Sequence, residues 1–432
     1  MLLGIFLLLL AFMLSGLPVA FCFMSINILG MFFLWGGQSG LRQLTMSLAD
    51  SVTSFTLVPI PLFILMGELM FHSGIAPSMI ATVDKLLGRI PGRLSLLAIG
   101  GGIVFSTLSG SSVAAVAMLG GTLVPDMGKR GYSKAMSLGP ILGAGGLAVL
   151  IPPSSFAVLL GALGNISIGK ILIAIIFPGL LLAAFYITYV IVRCKFQPSL
   201  APVYEVAPTS ALSKLIAITR HILPLTLIIF LVTGVILLGV ATPSEAAACG
   251  AIGCVALTIF YRALNWQTIK KSLAGTVQVT VMLFMIIVGA SAFSQILAYT
   301  QVSRGMIDFA VSLPIPALYI IIAMQVVVLV MGFFMEVVSI MMITIPIFMP
   351  VLLALGFDPV WFASIMLLNL EMAMLTPPFG MSLFVMKAVA PSDVTIGDIC
   401  RAAFPFLVCH IIVMVLLIAF PAITLWLPGK IR

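Results

Sequence analysis

Residues 150–155 read LIPPSS, and residues 375–380, which lie 225 positions further along the chain, read LTPPFG. Each motif lies inside a long apolar segment. A proline lacks the backbone N–H and clashes with the preceding helical turn, so two consecutive prolines break a helix and leave carbonyl oxygens without their usual donor. The two double prolines therefore predict two broken helices at equivalent positions of a duplicated chain.

The composition around these motifs is that of a membrane protein. Of the 432 residues, 62% are hydrophobic and 7% are charged, and the mean hydropathy is +1.32. Repeated apolar segments of about 20 residues, separated by short charged loops, are what membrane-spanning helices require. We therefore expect an all-α polytopic protein in a lipid bilayer. No polar n-region or cleavage site precedes the first apolar segment, which begins at Leu2, so we expect this segment to be a span and not a removable signal peptide.

Two apolar segments, 94–126 and 314–349, are too long for a single crossing. As continuous helices they would extend about 50 Å, whereas the hydrocarbon core of a bilayer is about 30 Å thick. Small and polar residues interrupt both near the middle, at 105–112 (FSTLSGSS) and at 331–336 (MGFFME). We predict that each segment is a re-entrant helical hairpin, which enters and leaves on the same face of the membrane.

The basic residues support this topology, because cytoplasmic loops are enriched in Lys and Arg. With both hairpins re-entrant, 15 of the 20 Lys and Arg residues fall on the cytoplasmic side, on both flanks of the first hairpin among other places. Those that fall outside are Arg42, Lys170, Arg304, Lys430 and Arg432. This arrangement predicts that both chain termini are periplasmic and that the linker at 195–214 is cytoplasmic.

An internal repeat points to the same scheme. A shift of 225 positions superposes Pro125 on Pro350 and Gly131 on Gly356, in addition to the double prolines. The first hairpin is predicted to enter from the inside and the second from the outside, so the repeats have the inverted topology that is typical of secondary transporters. The predicted first half is 1–210, with hairpin 94–126 and broken helix 135–163, and the second is 211–432, with hairpin 314–349 and broken helix 359–386.

We expect the functional chemistry where each hairpin tip meets the broken helix of its own repeat. The first tip offers the hydroxyls of Ser109, Ser111 and Ser112, and the second offers Gly332 and Glu336. Together with the free carbonyls these groups form a cage of oxygens suited to a hard cation such as sodium, while the N-termini of half-helices attract an anionic solute. Glu336 is the strongest acidic candidate, because the repeat superposes it on Ser111.

Three other acids lie within apolar segments, where a charge is costly. Glu245 follows Thr242 and Pro243, which is typical of a capping box with proline at the first helical position. Glu371 precedes the second break by one to two turns and either orients the kink or lines the cavity. Glu68 either pairs with a basic loop residue or contacts a solute.

Other classes of function have no motif in the sequence. There is no G-x-x-x-x-G-K-[ST] for ATP phosphates, no HExxH and no CxxC, and the three histidines stand apart. The basic loops lack the aromatic residues that stack on nucleic-acid bases. We expect no enzyme activity, no organic cofactor and no nucleic-acid partner.

Four stretches resemble the large, DctM-type membrane subunit of tripartite ATP-independent periplasmic (TRAP) transporters. They are PLFILMGELM at 61–70, LSGSS at 108–112, IPPS at 151–154 and NLEMAMLTPPFGMSLFV at 369–385. The resemblance implies a sodium-coupled, elevator-type importer in the bacterial inner membrane. Such an importer receives a small organic anion, a carboxylate or sugar acid, from a soluble periplasmic binding protein and works with a small membrane subunit of about four spans.

The same resemblance implies three sets of site residues. The first sodium site would be formed by Ser109, Ser111, Ala148, Ile151 and Pro153. The second would be formed by Phe334, Glu336, Ala373, Thr376 and Pro378. The solute would contact Ser154, Ser155, Asn369 and Ser382. Two alternatives remain open at this point: a stand-alone ion-coupled anion transporter that needs no binding protein, and a non-transporting membrane scaffold or sensor.

Overall fold

The structure, a computed structural model, describes residues 8, 11–12, 15–75, 82–84, 90–109, 111–202, 215–378 and 380–430, with the backbone alone at 106–109, 221 and 303. Every regular element within these ranges is a helix, which confirms the predicted all-α class. Seven of the described helices are long and apolar enough to cross a membrane, and a bent pair supplies an eighth candidate. Most of the first predicted span, 2–15, lies outside the described residues.

The α-helices are numbered in chain order, and one of them, α10, contains two π-helical turns. They are α1 Val19–Leu34, α2 Gln38–Thr53, α3 Pro59–His72, α4 Arg93–Ser109, α5 Ser112–Lys129, α6 Lys134–Leu150, α7 Ser155–Gly164, α8 Ile168–Ala174, α9 Ile176–Phe196, α10 Leu215–Leu237, α11 Pro243–Phe260, α12 Trp266–Tyr299, α13 Val302–Ser312, α14 Ala317–Met331, α15 Val337–Ala354, α16 Pro359–Leu375, α17 Met381–Val389, α18 Ile396–Ala419 and α19 Ala422–Leu425.

Each long apolar segment is divided into two helices that pack against each other. The first divides into α4 and α5 and the second into α14 and α15. The four helices have 15 to 18 residues, which corresponds to about 22–27 Å and is shorter than the hydrocarbon core. This division agrees with hairpins at 93–129 and 317–354, and the face on which each hairpin enters stays a prediction.

The helix boundaries of the two halves coincide under the shift of 225 positions. Helices α5 and α15 correspond at both ends, and so do α6 and α16. Both Pro-Pro peptide bonds are cis, and the turn glycines Gly131 and Gly356 share a φ of 77°. This left-handed conformation is one that glycine adopts without steric cost. The repeated sequence pattern therefore produces a repeated backbone.

Helices α6 and α16 form the centre of the molecule. Every residue from Met136 to Leu150 in α6 and from Val360 to Leu375 in α16 is buried, as expected for helices that are apolar on all sides. They pack on each other and on α18, and α6 also contacts α4 and α5. The broken ends therefore lie inside protein, where irregular backbone is tolerated at membrane depth.

A second group of helices surrounds the long helix α12, whose 34 residues extend about 51 Å. Helices α1, α2 and α3 pack on it, and α15 of the second hairpin also contacts it. The buried Asn27 side chain of α1 donates a hydrogen bond to the Gly289 carbonyl of α12, at 2.7 Å. This group contacts the hairpins through α12, which packs on α15, and through α3, which packs on α4.

The indole of Trp361 joins α16 to α18, and its removal should destabilise the fold. Its Nε1 donates to the Leu417 carbonyl at 2.9 Å, and the residue is 2% exposed. We expect Trp361→Phe to lower the free energy of unfolding by about 1 kcal/mol, because a buried hydrogen bond is lost. Thermal unfolding of the purified protein in detergent measures this. Trp266→Phe, at a residue that is 78% exposed, is the control, and an equal loss in both variants would contradict the expectation.

Candidate functional site

A cavity of about 420 Å³ lies between the two hairpin tips. Residues 111–113 of the first tip and residues 332 and 334–338 of the second line it, together with residues of the broken helices α7, α16 and α17. Helices α3 and α12 form the remaining wall. One cavity therefore receives groups from both halves of the chain.

The first tip packs directly on α6. Ser111 caps α5, and its hydroxyl accepts a hydrogen bond from the Ala114 N–H at 3.3 Å. The next carbonyl, that of Ser112, lies so close to α6 that a β-carbon at Gly145 would be 3.2 Å from its oxygen. Because Pro152 has no N–H, the Ala148 carbonyl lacks its donor four residues on.

The second tip packs on α16 in the same way. A β-carbon at Gly332 would lie 2.3 Å from the Cβ of Ala373, so only glycine lets the tip approach the helix this closely. Pro377 has no N–H to donate to the Ala373 carbonyl, which accepts a longer bond of 3.3 Å from the Thr376 N–H. The Thr376 hydroxyl donates to the Met372 carbonyl at 2.6 Å.

The predicted sodium ligands divide between the cavity and the two helix breaks. Ser111, Phe334, Glu336 and Ala373 line the cavity. Ser109 is the last residue of α4, and its side chain lies outside the described atoms. The other predicted ligands lie at or beside the breaks and do not line the cavity: Ala148, Ile151, Pro153, Thr376 and Pro378.

The predicted solute residues lie in different environments. Ser155, at the start of α7, lines the cavity. Ser154 is fully buried and caps α7, accepting a hydrogen bond from the Ala157 N–H at 3.3 Å. Asn369 is buried and donates to both the carbonyl and the Oε1 of Gln325 on α14. Ser382 is buried, and its hydroxyl has no partner in the described part of the chain. The structure does not place Ser154, Asn369 or Ser382 in the cavity lining.

The three other acids of the apolar segments have different surroundings: Glu371 is buried, Glu68 is partly exposed, and Glu245 is exposed and not buried as predicted. Glu68 lines the cavity, and its Oε2 lies 3.3 Å from Nε2 of His72, one turn further along α3 and not in a loop. Glu245 forms the predicted capping box, in which the Thr242 N–H donates to its Oε2 at 2.8 Å. Glu371 does not line the cavity and is fully buried within the protein.

The α12 part of the cavity wall had no signal in the sequence. Val279, Met282 and Leu283 line the cavity, but they are apolar residues in an apolar helix. Neither hydropathy nor periodicity distinguishes such residues from those that face lipid, so packing alone brings them to the site.

The ionisable side chains in the described cavity lining are acidic. This lining contains two carboxylates, those of Glu68 and Glu336, and neither Lys nor Arg. Carboxylate, hydroxyl and carbonyl oxygens are the ligands that hard cations prefer. No group of three His, Cys, Asp or Glu side chains that could hold a metal ion occurs among the described residues. The described lining therefore offers oxygen ligands of the kind that a hard cation takes.

A family model described as "Tripartite ATP-independent periplasmic transporter, DctM component" matches residues 6–423. The chain belongs to this family. The stated resemblance is thereby confirmed, and this DctM-family chain is a multi-pass membrane permease component. It is 33% identical over 391 residues to the C4-dicarboxylate TRAP transporter large permease protein DctM of Pseudomonas aeruginosa, covering 90% of each chain. It is 29% identical to the sialic acid TRAP transporter large permease protein SiaM of Vibrio cholerae, covering 96% of this chain and 95% of that protein.

Among solved structures, the YdaH transporter of Alcanivorax borkumensis has the same fold. It superposes with a TM-score of 0.63 at 16% sequence identity, and the match covers 89% of both chains. At this identity the similarity concerns the fold of the DctM-family chain and not its site residues.

The contact between Gly332 and Ala373 should be essential for the second site. In Gly332→Ala, the new β-carbon would collide with the Ala373 side chain and displace the tip. We expect the rate of uptake by the complete transporter to fall at least about tenfold. A displacement of about 1 Å moves the binding groups out of the geometry on which activity depends. Uptake per mole of folded protein in liposomes measures the effect. Gly305→Ala, where a β-carbon has no heavy atom within 4 Å, should retain wild-type uptake, and a loss equal to that of Gly332→Ala would contradict the interpretation.

Proposed function

We propose that the DctM-family chain imports a small organic anion by secondary active transport coupled to an inward sodium gradient. A soluble periplasmic binding protein delivers the solute, and a small membrane subunit of about four spans completes the transporter. In this proposal the chain lies in the bacterial inner membrane with both termini in the periplasm.

The observation that carries the proposal is the charge of the cavity. Two carboxylates and no basic side chain line its described part. At an effective dielectric constant of about 20, two like unit charges about 5 Å apart repel by about 3 kcal/mol. An anion therefore binds well only after cations have entered, and sodium bound at the two tips would supply that positive charge. Binding of solute that depends on bound sodium is what symport requires.

The relatives support the class of solute. Their names include transporters for C4-dicarboxylate, sialic acid and isethionate. These compounds share a carboxylate or sulfonate group. In the proposed site the serine hydroxyls and the bound cations contact the acidic group, since the described cavity lining offers no arginine for it.

The packing supports an elevator mechanism. Each tip rests on the broken helix of its own repeat, and α6 packs on α16, so we treat the two hairpin-plus-broken-helix units as one body. Helices α3 and α12, which complete the cavity, belong to the surrounding group. In our proposal the solute binds between the two bodies and crosses the membrane as the first slides along the second.

Sodium coupling predicts a specific ion dependence of uptake. The chain, reconstituted in liposomes with its binding protein and small subunit, should accumulate the solute carried by that binding protein only under an inward sodium gradient. A potassium gradient of the same size is the control. Uptake that is indifferent to sodium would refute the coupling, and uptake by the purified single chain would favour a stand-alone transporter.

The site assignment predicts which hydroxyls matter. Ser111→Ala and Thr376→Ala should each raise the sodium concentration for half-maximal uptake by about tenfold, corresponding to the loss of about 1.4 kcal/mol of ion binding. The chain offers two matched controls. Ser133→Ala removes a helix cap like that of Ser111, and Thr122→Ala removes a hydroxyl that bonds to the preceding turn like that of Thr376. If Ser111→Ala and Thr376→Ala leave the sodium dependence unchanged, the site assignment is wrong.

A further inference from the structure

Glu371 occupies a space that is open only because residue 146 is glycine. The residue is fully buried on α16. A β-carbon at Gly146 on α6 would lie 1.2 Å from its Oε1 and 2.2 Å from its carboxyl carbon. In this conformation of Glu371, any side chain at position 146 would overlap the carboxyl group, which is buried and does not face solvent. The two central helices pack closely at this point because one contributes a long side chain and the other contributes none.

The two positions are equivalent within the repeat. Residues 146 and 371 are separated by 225 positions, the shift that also superposes α6 on α16 and one double proline on the other. Equivalent positions of two related halves touch only beside the axis that relates them. The contact between Gly146 and Glu371 therefore marks this axis. Two large side chains would collide there, and two glycines would leave a void.

The contact lies next to both proposed sodium sites. Ala148 follows Gly146 by two residues and Ala373 follows Glu371 by two residues, which is about 3 Å along each helix. The carbonyls of both alanines are among the proposed sodium ligands. A change in the spacing of α6 and α16 at the crossing would thus move ligands of both sites together.

No polar partner in the described part of the chain explains why Glu371 lies here. Neither carboxylate oxygen has a hydrogen-bond partner among the described residues. On the helices α9 and α18, the buried Tyr186 hydroxyl lies 3.1 Å from Nδ1 of His410, so these two polar groups are partners of each other. The fit against Gly146 is therefore the interaction that the structure assigns to this side chain.

We propose that Glu371 is a positioning residue, which fits into the notch at Gly146, fixes the crossing of α6 and α16 and so couples the two sodium sites. The proposal rests on the proposed sodium coupling. Glu371 contacts neither ion nor solute in this role. It acts by its shape and holds the two sites in one geometry, so that they bind sodium together and move as one body.

Four variants test the proposal by size complementarity. Gly146→Ala should raise the half-saturating sodium concentration about tenfold and reduce the cooperativity of sodium dependence, with a smaller change in maximal uptake. Glu371→Gln keeps the shape and should stay within about twofold of the wild type. Glu371→Ala opens a void and should weaken sodium dependence.

The double variant Gly146→Ala/Glu371→Ala relieves the collision and should recover most of the loss of sodium affinity caused by Gly146→Ala. Gly121→Ala, with no heavy atom within 4 Å of its β-carbon, is the control.

The increase in melting temperature that sodium causes in the purified transporter gives a second measure of sodium affinity. The proposal is overturned if Glu371→Gln loses as much sodium affinity as Gly146→Ala, or if the double variant recovers nothing. If Gly146→Ala fails to fold, the sodium affinities of Glu371→Gln and of the double variant still test the proposal. A wild type without sodium dependence would refute the proposed function instead. In that case the melting temperatures measured without sodium still test the packing, because the double variant should unfold at a higher temperature than Gly146→Ala.

Discussion

A bilayer offers no water to a peptide group, so every carbonyl at membrane depth needs a partner within the protein or a bound ligand. The double prolines at 152–153 and 377–378 remove donors at this depth in both halves of the chain. The rest of the structure can be understood from this constraint. The broken helices must be enclosed by protein, and α6 and α16 are indeed buried along almost their whole length. Each hairpin tip then reaches the broken helix of its own repeat.

The two repeats share one backbone plan but contribute different chemistry. The first tip brings serine hydroxyls and the second brings the Glu336 carboxylate, and both line a single cavity. Where the two central helices touch, the equivalent positions also differ: α16 contributes the long side chain of Glu371 and α6 contributes Gly146. The long side chain of one half fills the space that the glycine of the other half leaves, and the difference between the halves also gives the cavity its acidic lining.

In the proposed function, the acidic lining of the cavity is the reason why solute binding requires cations. A site for an organic acid would be expected to offer a basic side chain, yet the described lining offers Glu68, paired with His72, and Glu336. Mobile cations can supply the missing positive charge and can leave again, which a fixed arginine cannot do. The fold shared with the YdaH transporter at 16% identity does not determine this electrostatic character, because it depends on a few side chains at the tips.

The sequence by itself determined the apolar segments, their division near the middle, the breaks at the double prolines, the 225-residue repeat and the capping box at Glu245. These features depend on residues that are close in sequence. The double prolines lack an N–H, short polar stretches interrupt the long segments, and Thr242 caps a helix three residues before Glu245. Tertiary structure alone decided that Ser155 lines the cavity while Ser154, Asn369 and Ser382 do not, that α12 forms a wall, and that Glu371 packs against Gly146. The physical reason is that lipid and protein interior are equally apolar, so the central helices carry no periodicity that shows which way a side chain faces.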